Sequence, residues 1–273
     1  MKTQRVAFQG EKGAYSELAT SQYFRNAEIL SMKTLEEVFE NIEIGKVDSA
    51  IIPIENSIEG SINETYDLLL QTNMLVSGEI YLRIRHCLIT NKHTNSIIDS
   101  VYSHPQALAQ CRSYLKKKRL EPIPTYDTAG AVKMIKERNI TNAAAIASRR
   151  AAEIYDMEIL DEGIEDKKNN FTRFLVLSKT KTKPTHNDRT SIIFSINHLP
   201  GALYSILEEF ASRKINLTKI ESRPTKEAPW EYNFYVDFEG HLSEENTKYA
   251  LQSVKGKCAF FKILGSYKKA EFM

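Results

Sequence analysis

The chain has 273 residues, room for about two domains that each bury a core. With 37 Lys and Arg against 35 Asp and Glu, its net charge of +2 gives no general attraction for nucleic acid or anionic membrane, so any anion specificity must be local. Three cysteines without CxxC spacing (Cys87, Cys111 and Cys258) and six histidines without an HExxH pair argue against a disulfide framework, a zinc cage or a metal centre.

Strand-like and helix-like segments alternate through the first 178 residues, the pattern of an α/β domain over a mainly parallel sheet. The N-terminus leads directly into a strand at Val6-Ala7-Phe8, and no apolar run is long enough to span a bilayer, so a cytoplasmic chain is expected. Ser49 to Ile54 reads as a buried strand, and Ser61 with Glu64 as a capping box opening a helix whose inner face holds Ile62, Tyr66, Leu69 and Leu70. Tyr81 to Thr90 is extended and predicts a crossing between two lobes. Val101 to Ser103 is a short strand before a helix with Pro105 in its first turn. Asp127 is the expected cap of a helix carrying Val132, Met134 and Ile135 inward, and Ala143 to Ala147 the next buried strand. Phe174 to Ser178 returns to the first lobe.

The polar run Lys179 to Arg189 is the expected linker. Beyond it the predicted order is strand 191–197, helix 201–213, strand 218–223, strand 231–239, helix 243–254 and strand 260–267, a ferredoxin-like βαββαβ unit. Leu203, Ile206, Leu207 and Phe210 form the apolar face of its first helix, and the other sheet face needs a partner or solvent.

Four polar segments are candidates for chemistry. Ile54 to Ser61 follows a buried strand, where open α/β sheets place ligand loops; Asn56 and Ser57 beside Glu55 suit a carboxylate, or the loop is ordinary and Ser61 only caps a helix. Ser103-His104-Pro105-Gln106 lies between a strand and a helix. Gln106 and Gln110 share one helix face, either as ligand donors or as a solvated surface. Gln9 to Ser16, including Ala14, Tyr15 and Ser16, is a glycine-bearing turn without GxGxxG: it approaches a small anion, or is a tight turn and nothing more. Asn170-Phe171-Thr172-Arg173 sets a hydroxyl beside a guanidinium where a strand begins. In a dry pocket the hydroxyl can donate to a departing oxygen while a cation handles anionic charge, which suggests elimination on an acidic substrate. The plainer reading is a strand-start threonine and a surface ion pair.

Taken together, FQGEKGAYS (8–16), PIENSIEGSINETYDLL (53–69), YSHPQALAQC (102–111), DTAGAV (127–132), AAIAS (144–148) and NFTRFLVL (170–177), with PGAL (200–203) and ESRP (221–224), resemble prephenate dehydratases fused to an ACT regulatory domain. The resemblance covers nearly the whole chain. It implies a two-lobed fold like type 2 periplasmic binding proteins over residues 1–180, with lobes of about 1–80 plus 165–180 and 81–164. A linker at 181–189 and an ACT domain at 190–273 follow.

The implied activity converts prephenate to phenylpyruvate by loss of carbon dioxide and water, without metal or cofactor. By resemblance Thr172 is the essential acid, Asn56, Ser103 and Gln110 orient substrate, and Glu55 is an acidic neighbour. Ser57, Ser61, Ala14, Tyr15 and Ser16 are implied to contact substrate. Arg173 binds a carboxylate or braces the loop through Glu55 or Glu59. The ACT resemblance implies L-phenylalanine as allosteric effector at a subunit interface, held by Pro200, Gly201, Ala202, Leu203, Asn216, Leu217, Glu221, Ser222 and Arg223, and hence a homodimer or homotetramer. Tyr204 stands where the family often has a small aliphatic residue. Arogenate dehydratase is the closest rival, and a non-catalytic amino-acid sensor the rival of another class. The presence of Thr172, Asn56, Ser103 and Gln110 speaks against the sensor.

Overall fold

Two compact units divide the chain: residues up to 66 with 80–174, and residues 67–79 with 175–271. The computed structural model describes residues 3–92, 96–226 and 230–271.

In the first unit β1 (Arg5–Gln9), α1 (Tyr15–Tyr23), β2 (Glu28–Met32), α2 (Leu35–Glu43) and β3 (Ser49–Asn56) alternate. The parallel pairs β1–β2 and β1–β3 bury Val6, Ala7, Phe8, Ala50, Ile51 and Ile52, apolar runs suited to a sheet covered on both faces. Thr34 caps α2 by accepting from the Glu37 N–H, and Leu35, Val38, Phe39 and Ile42 fall on its buried face at helical spacing. After β3 come β4 (Gly60–Ser61), α3 (Asn63–Gln71), β5 (Leu75–Arg83) and β6 (Cys87–Thr90). Ser61 is a strand residue opposite Glu55, and α3 opens two residues later, because the chain folds back on β3 before turning helical.

A second sheet is built from β6, β7 (Ser100–Ser103), β8 (Glu121–Pro124), β9 (Ala143–Ala147) and β10 (Glu158–Glu162), with α4 (Pro105–Gln110), α5 (Arg112–Lys118), α6 (Thr128–Glu137) and α7 (Arg149–Ile154) between them. Its order is β10-β6-β9-β7-β8, and it is mixed, since β6 runs antiparallel to both neighbours. The small residues of β9 alternate between two cores: Ala143, Ala145 and Ala147 meet α6, and Ala144 and Ile146 meet α4 and α5. Asp127 caps α6 as expected, accepting from the Gly130 N–H at 2.8 Å. The strand β11 (Phe171–Ser178) then returns to the first sheet, whose order is β2-β1-β3-β11-β5 with β4 on β3. The two-lobed α/β expectation is thus met by two mixed sheets.

The second unit holds β12 (Asp188–Ser195), α8 (Ala202–Ala211), β13 (Leu217–Pro224), β14 (Tyr232–Glu239), α9 (Glu245–Lys257) and β15 (Phe260–Lys268). These give the βαββαβ order with sheet order β13-β14-β12-β15, antiparallel throughout. Ile206 and Phe210 of α8 and Ala250, Leu251 and Val254 of α9 pack against Ile192, Phe194, Val236 and Phe238. Arg189 of β12 reaches both oxygens of Glu79, and Lys262 of β15 donates to the carbonyls of Leu69, Leu70 and Thr72 at the end of α3. No helix among the described residues is long and apolar enough to cross a membrane.

Candidate active site

A cavity of about 490 Å³ opens within the first unit, large enough for a small organic acid. Its wall takes Asn56 from the end of β3, Thr172 from the start of β11, Gln110 from the end of α4, and Ala14, Tyr15 and Ser16 from the start of α1. Neighbouring strands bring Asn56 and Thr172 together across 116 positions of sequence. Gly13, with φ +92, makes the turn before α1 possible: a Cβ there would lie 2.7 Å from the Ala151 Cα, so the loop approaches α7 more closely than a side chain permits.

Hydrogen-bond chemistry fixes the direction of the buried amides. Asn56 Oδ1 accepts from the backbone N–H groups of Ile58 and Glu59 at 3.0 and 3.1 Å. Its Nδ2 therefore faces Asn170 Oδ1 at 2.8 Å, Thr172 Oγ1 at 3.0 Å and the Phe171 carbonyl at 3.2 Å. Asn170 Nδ2 in turn donates to Gln110 Oε1 at 2.8 Å. Two consequences follow from the donor inventory. Thr172 accepts from Asn56, which leaves its own hydrogen to give to another acceptor, and Gln110 keeps its amide N–H groups for the cavity.

The loop around Ser57 is pinned to the strand entrance. Ser57 N–H donates to the Phe171 carbonyl at 2.8 Å, and its Oγ accepts from the Phe171 N–H and donates to the Asn169 carbonyl. Ser57 thus braces the site and is not in its wall. Ser103 is fully buried in β7 and donates to the Ile146 carbonyl at 2.6 Å, also away from the cavity. His104 caps α4, its ring accepting from the Gln106 N–H. Glu55, Ser61 and the buried Arg173 lie outside the wall as well. Asn170 is completely buried between Asn56 and Gln110.

Other residues complete the wall: His86, Lys33 and Glu36, which no motif singled out, with His104, Glu64 and Asp127, for which the sequence suggested no role in the site. His86 is buried, with Nε2 3.0 Å from Gln110 Oε1 and Nδ1 2.9 Å from the Tyr15 hydroxyl. Burial pushes its pKa below the ordinary histidine value, partly opposed by Gln110 and the carboxylate of Glu165, which accepts from the His86 N–H. Burial likewise raises Tyr15 well above the usual phenol value. Burial and the charge of Glu36 raise the Glu64 carboxyl, while hydrogen bonds from its own N–H and from Thr34 hold Glu36 lower. The cysteine thiols are pushed up by burial, Cys87 and Cys258 to about 11 and Cys111 further, so they are protonated at neutral pH.

A second cavity of about 470 Å³ lies in the other unit at the start of α8. Gly201, Ala202 and Leu203 line it with Tyr204, Trp230 and Tyr232. Pro200, Asn216, Leu217, Glu221, Ser222 and Arg223 do not line it within one chain. Asn216 donates to Glu239, Leu217 packs into the helix-side core, and Arg223 lies 3.9 Å from Asp67.

Neutral donors converging on a cavity suit an elimination assisted by a hydroxyl. The prephenate dehydratase profile matches residues 6–182, and the ACT domain profile matches 190–256. An arogenate dehydratase/prephenate dehydratase of Arabidopsis thaliana is 44% identical over 96% of this chain and 72% of its own length. The prephenate dehydratase of Arthrobacter aurescens, solved in complex with L-Phe, superposes with TM-score 0.89 at 28% identity, covering 97% of this chain and 90% of that one. A protein named GqqA, described as a novel type of quorum quenching acylase, superposes equally well at 32% identity, with 98% of both chains covered. The chain belongs to the prephenate dehydratase family, a group of hydro-lyases, and carries a C-terminal ACT domain.

Proposed function

We propose that the chain dehydrates and decarboxylates prephenate to phenylpyruvate, with Thr172 as the acid. The observation that carries this reading is the Asn56 Nδ2 contact on Thr172 Oγ1, which turns the hydroxyl hydrogen toward another acceptor in the cavity. As the ring carboxylate leaves as carbon dioxide, its bonding electrons enter the ring and expel the ring hydroxyl, which takes the Thr172 proton and departs as water. Solvent restores that proton. Aromatisation drives the reaction, so positioning and a few donors suffice. Gln110 and the start of α1 orient the substrate in this reading, while Ser57 and Ser103 hold the loops that carry it.

The test is phenylpyruvate formation by steady-state assay. Thr172→Ala is expected to lose about 10²–10⁴-fold in kcat with KM changed by only a few-fold, and unchanged turnover would sink the assignment. Arogenate is the second reading, favoured by Glu36 and Glu64 in the wall, since an α-ammonium would be welcome beside two carboxyls. The ratio of kcat/KM for the two substrates decides between them.

For regulation, the proposed effector is L-phenylalanine in the cavity at Gly201 to Leu203, supported by the family and by the L-Phe complex of the Arthrobacter protein. Asn216 and the Glu221 to Arg223 run lie outside that cavity in one chain, so they would complete it from a second copy, and a homo-oligomer is part of this proposal. The proposal includes a cytoplasmic location, a catalytic domain over 1–180, a linker at 181–189 and an ACT domain over 190–273. Gly201 has φ +80 and open space at its Cβ, so Gly201→Ala strains the backbone without crowding the pocket. Inhibition by phenylalanine is expected to weaken at least several-fold in that variant with basal turnover kept; inhibition at the wild-type concentration places the effector elsewhere.

A further inference from the structure

We infer that His86 is a positioning residue for the dehydration, holding Gln110 by donating from Nε2 so that the Gln110 amide N–H groups face the substrate. The inference rests on the proposed dehydratase reading for its kinetic consequences, and on geometry alone for the tautomer.

The argument begins at the backbone. The N–H groups of Ile58 and Glu59 and the carbonyl of Phe171 are fixed in kind, and they allow only one orientation of the Asn56 amide. That orientation presents Asn56 Nδ2 to Asn170 Oδ1, which sends Asn170 Nδ2 to Gln110 Oε1. Reversing any member would set donor against donor or acceptor against acceptor in a buried place, at the cost of an unmade hydrogen bond. Gln110 Oε1 therefore reaches His86 already committed as an acceptor, and His86 Nε2 at 3.0 Å must carry a hydrogen. In neutral imidazole this leaves Nδ1 as an acceptor 2.9 Å from the Tyr15 hydroxyl, whose single hydrogen is then shared between Nδ1 and the Arg85 carbonyl at 2.8 Å.

Two donors thus hold the Gln110 oxygen, His86 Nε2 and Asn170 Nδ2. Without His86, Gln110 loses one of the contacts that keep it from rotating its oxygen into the cavity, where it would repel a carboxylate. His86 acts through Gln110 and is no proton donor to the reaction.

Two measurements on the full chain test this. Nitrogen-15 NMR of histidine-labelled protein, with the His86 signal assigned by its loss in His86→Gln, is expected to show hydrogen on Nε2; a neutral ring protonated on Nδ1 alone would overturn the inference whatever the enzyme does. In the kinetic arm, His86→Asn removes the donor at the Nε2 position and is expected to cost about tenfold or more in kcat/KM. His86→Gln reaches that position with an amide N–H and is expected to stay within about threefold of wild type. In a Gln110→Ala background the Asn substitution is expected to cost almost nothing further, because its effect runs through Gln110. Losses that multiply, or a folded His86→Gln as impaired as His86→Asn, overturn the positioning role. If the wild-type chain turns over neither prephenate nor arogenate, the functional reading fails, and the tautomer still decides the assignment of His86.

Discussion

In the proposed reaction Thr172, a residue of ordinary chemistry, takes its task from its neighbours. A threonine hydroxyl in water is a feeble acid, and Asn56 changes its situation by occupying an acceptor site on the oxygen inside a partly closed cavity. His86 shows a different effect of enclosure. Its folded-state pKa lies below the ordinary value of 6.5, so as pH falls through that value the unfolded chain takes up a proton before the folded one does. Its contribution is fully present above the unfolded pKa and is lost as pH drops toward the folded pKa. The denaturant midpoint is expected to fall between about pH 7.5 and 5.5 and to fall less in His86→Gln, measured by urea titration at both pH values. An identical decline in both proteins would assign the loss to other groups.

At the scale of elements, close backbone approaches govern how strands and turns can meet. Gly265 in β15 has φ +152, and a Cβ there would lie 2.2 Å from the Val76 carbonyl of β5. Neither a strained φ nor that contact is relieved by rotating a side chain, because the obstacle is backbone. Gly265→Ala is expected to cost about 3 kcal/mol or more, read as a lowered urea midpoint or loss of soluble protein, and a variant within about 0.5 kcal/mol of wild type would contradict the packing. The helix ends show the converse, where local chemistry suffices. Asp127, Thr34 and Ser148 each accept from a first-turn N–H of the helix they open, and nothing distant is needed for that.

At the scale of the whole molecule, the second unit is joined from distant parts of the chain by a buried ion pair. Arg189 of β12 meets both oxygens of Glu79 at 2.6 and 2.8 Å, and Glu79 also accepts from the Ala270 N–H. Both side chains are almost wholly excluded from water. Removing one partner leaves a charge without compensation, so Arg189→Met is expected to destabilise by about 3–5 kcal/mol in chemical denaturation. Replacing both, Glu79→Leu with Arg189→Met, is expected to recover most of that loss; equal damage in single and double variants would show that the pair's value is not in its charge.

Much of the fold could be read from residue order. Period-two and helical apolar patterns, a proline at a first turn and an aspartate at a cap are local signals, and they place β3, α4, α6, β9 and the βαββαβ unit close to where they lie. The motifs also marked Thr172, Asn56 and Gln110, which do share one cavity. Their neighbours were less legible. Ser103 sits in the same motif as Gln110 yet points into β9, and Ser61 pairs with Glu55 in a hairpin that no pattern announced. His86 carries no local mark, since its meaning lies in Gln110, 24 positions away, and through Gln110 in Asn170. Sequence alone determined the elements and the family chemistry, because helices, strands and caps depend on residues within a turn or two of each other. Only the tertiary structure decided which polar groups reach the cavity and which way each amide faces, because hydrogen-bond direction is settled by the backbone donors and acceptors that folding brings alongside.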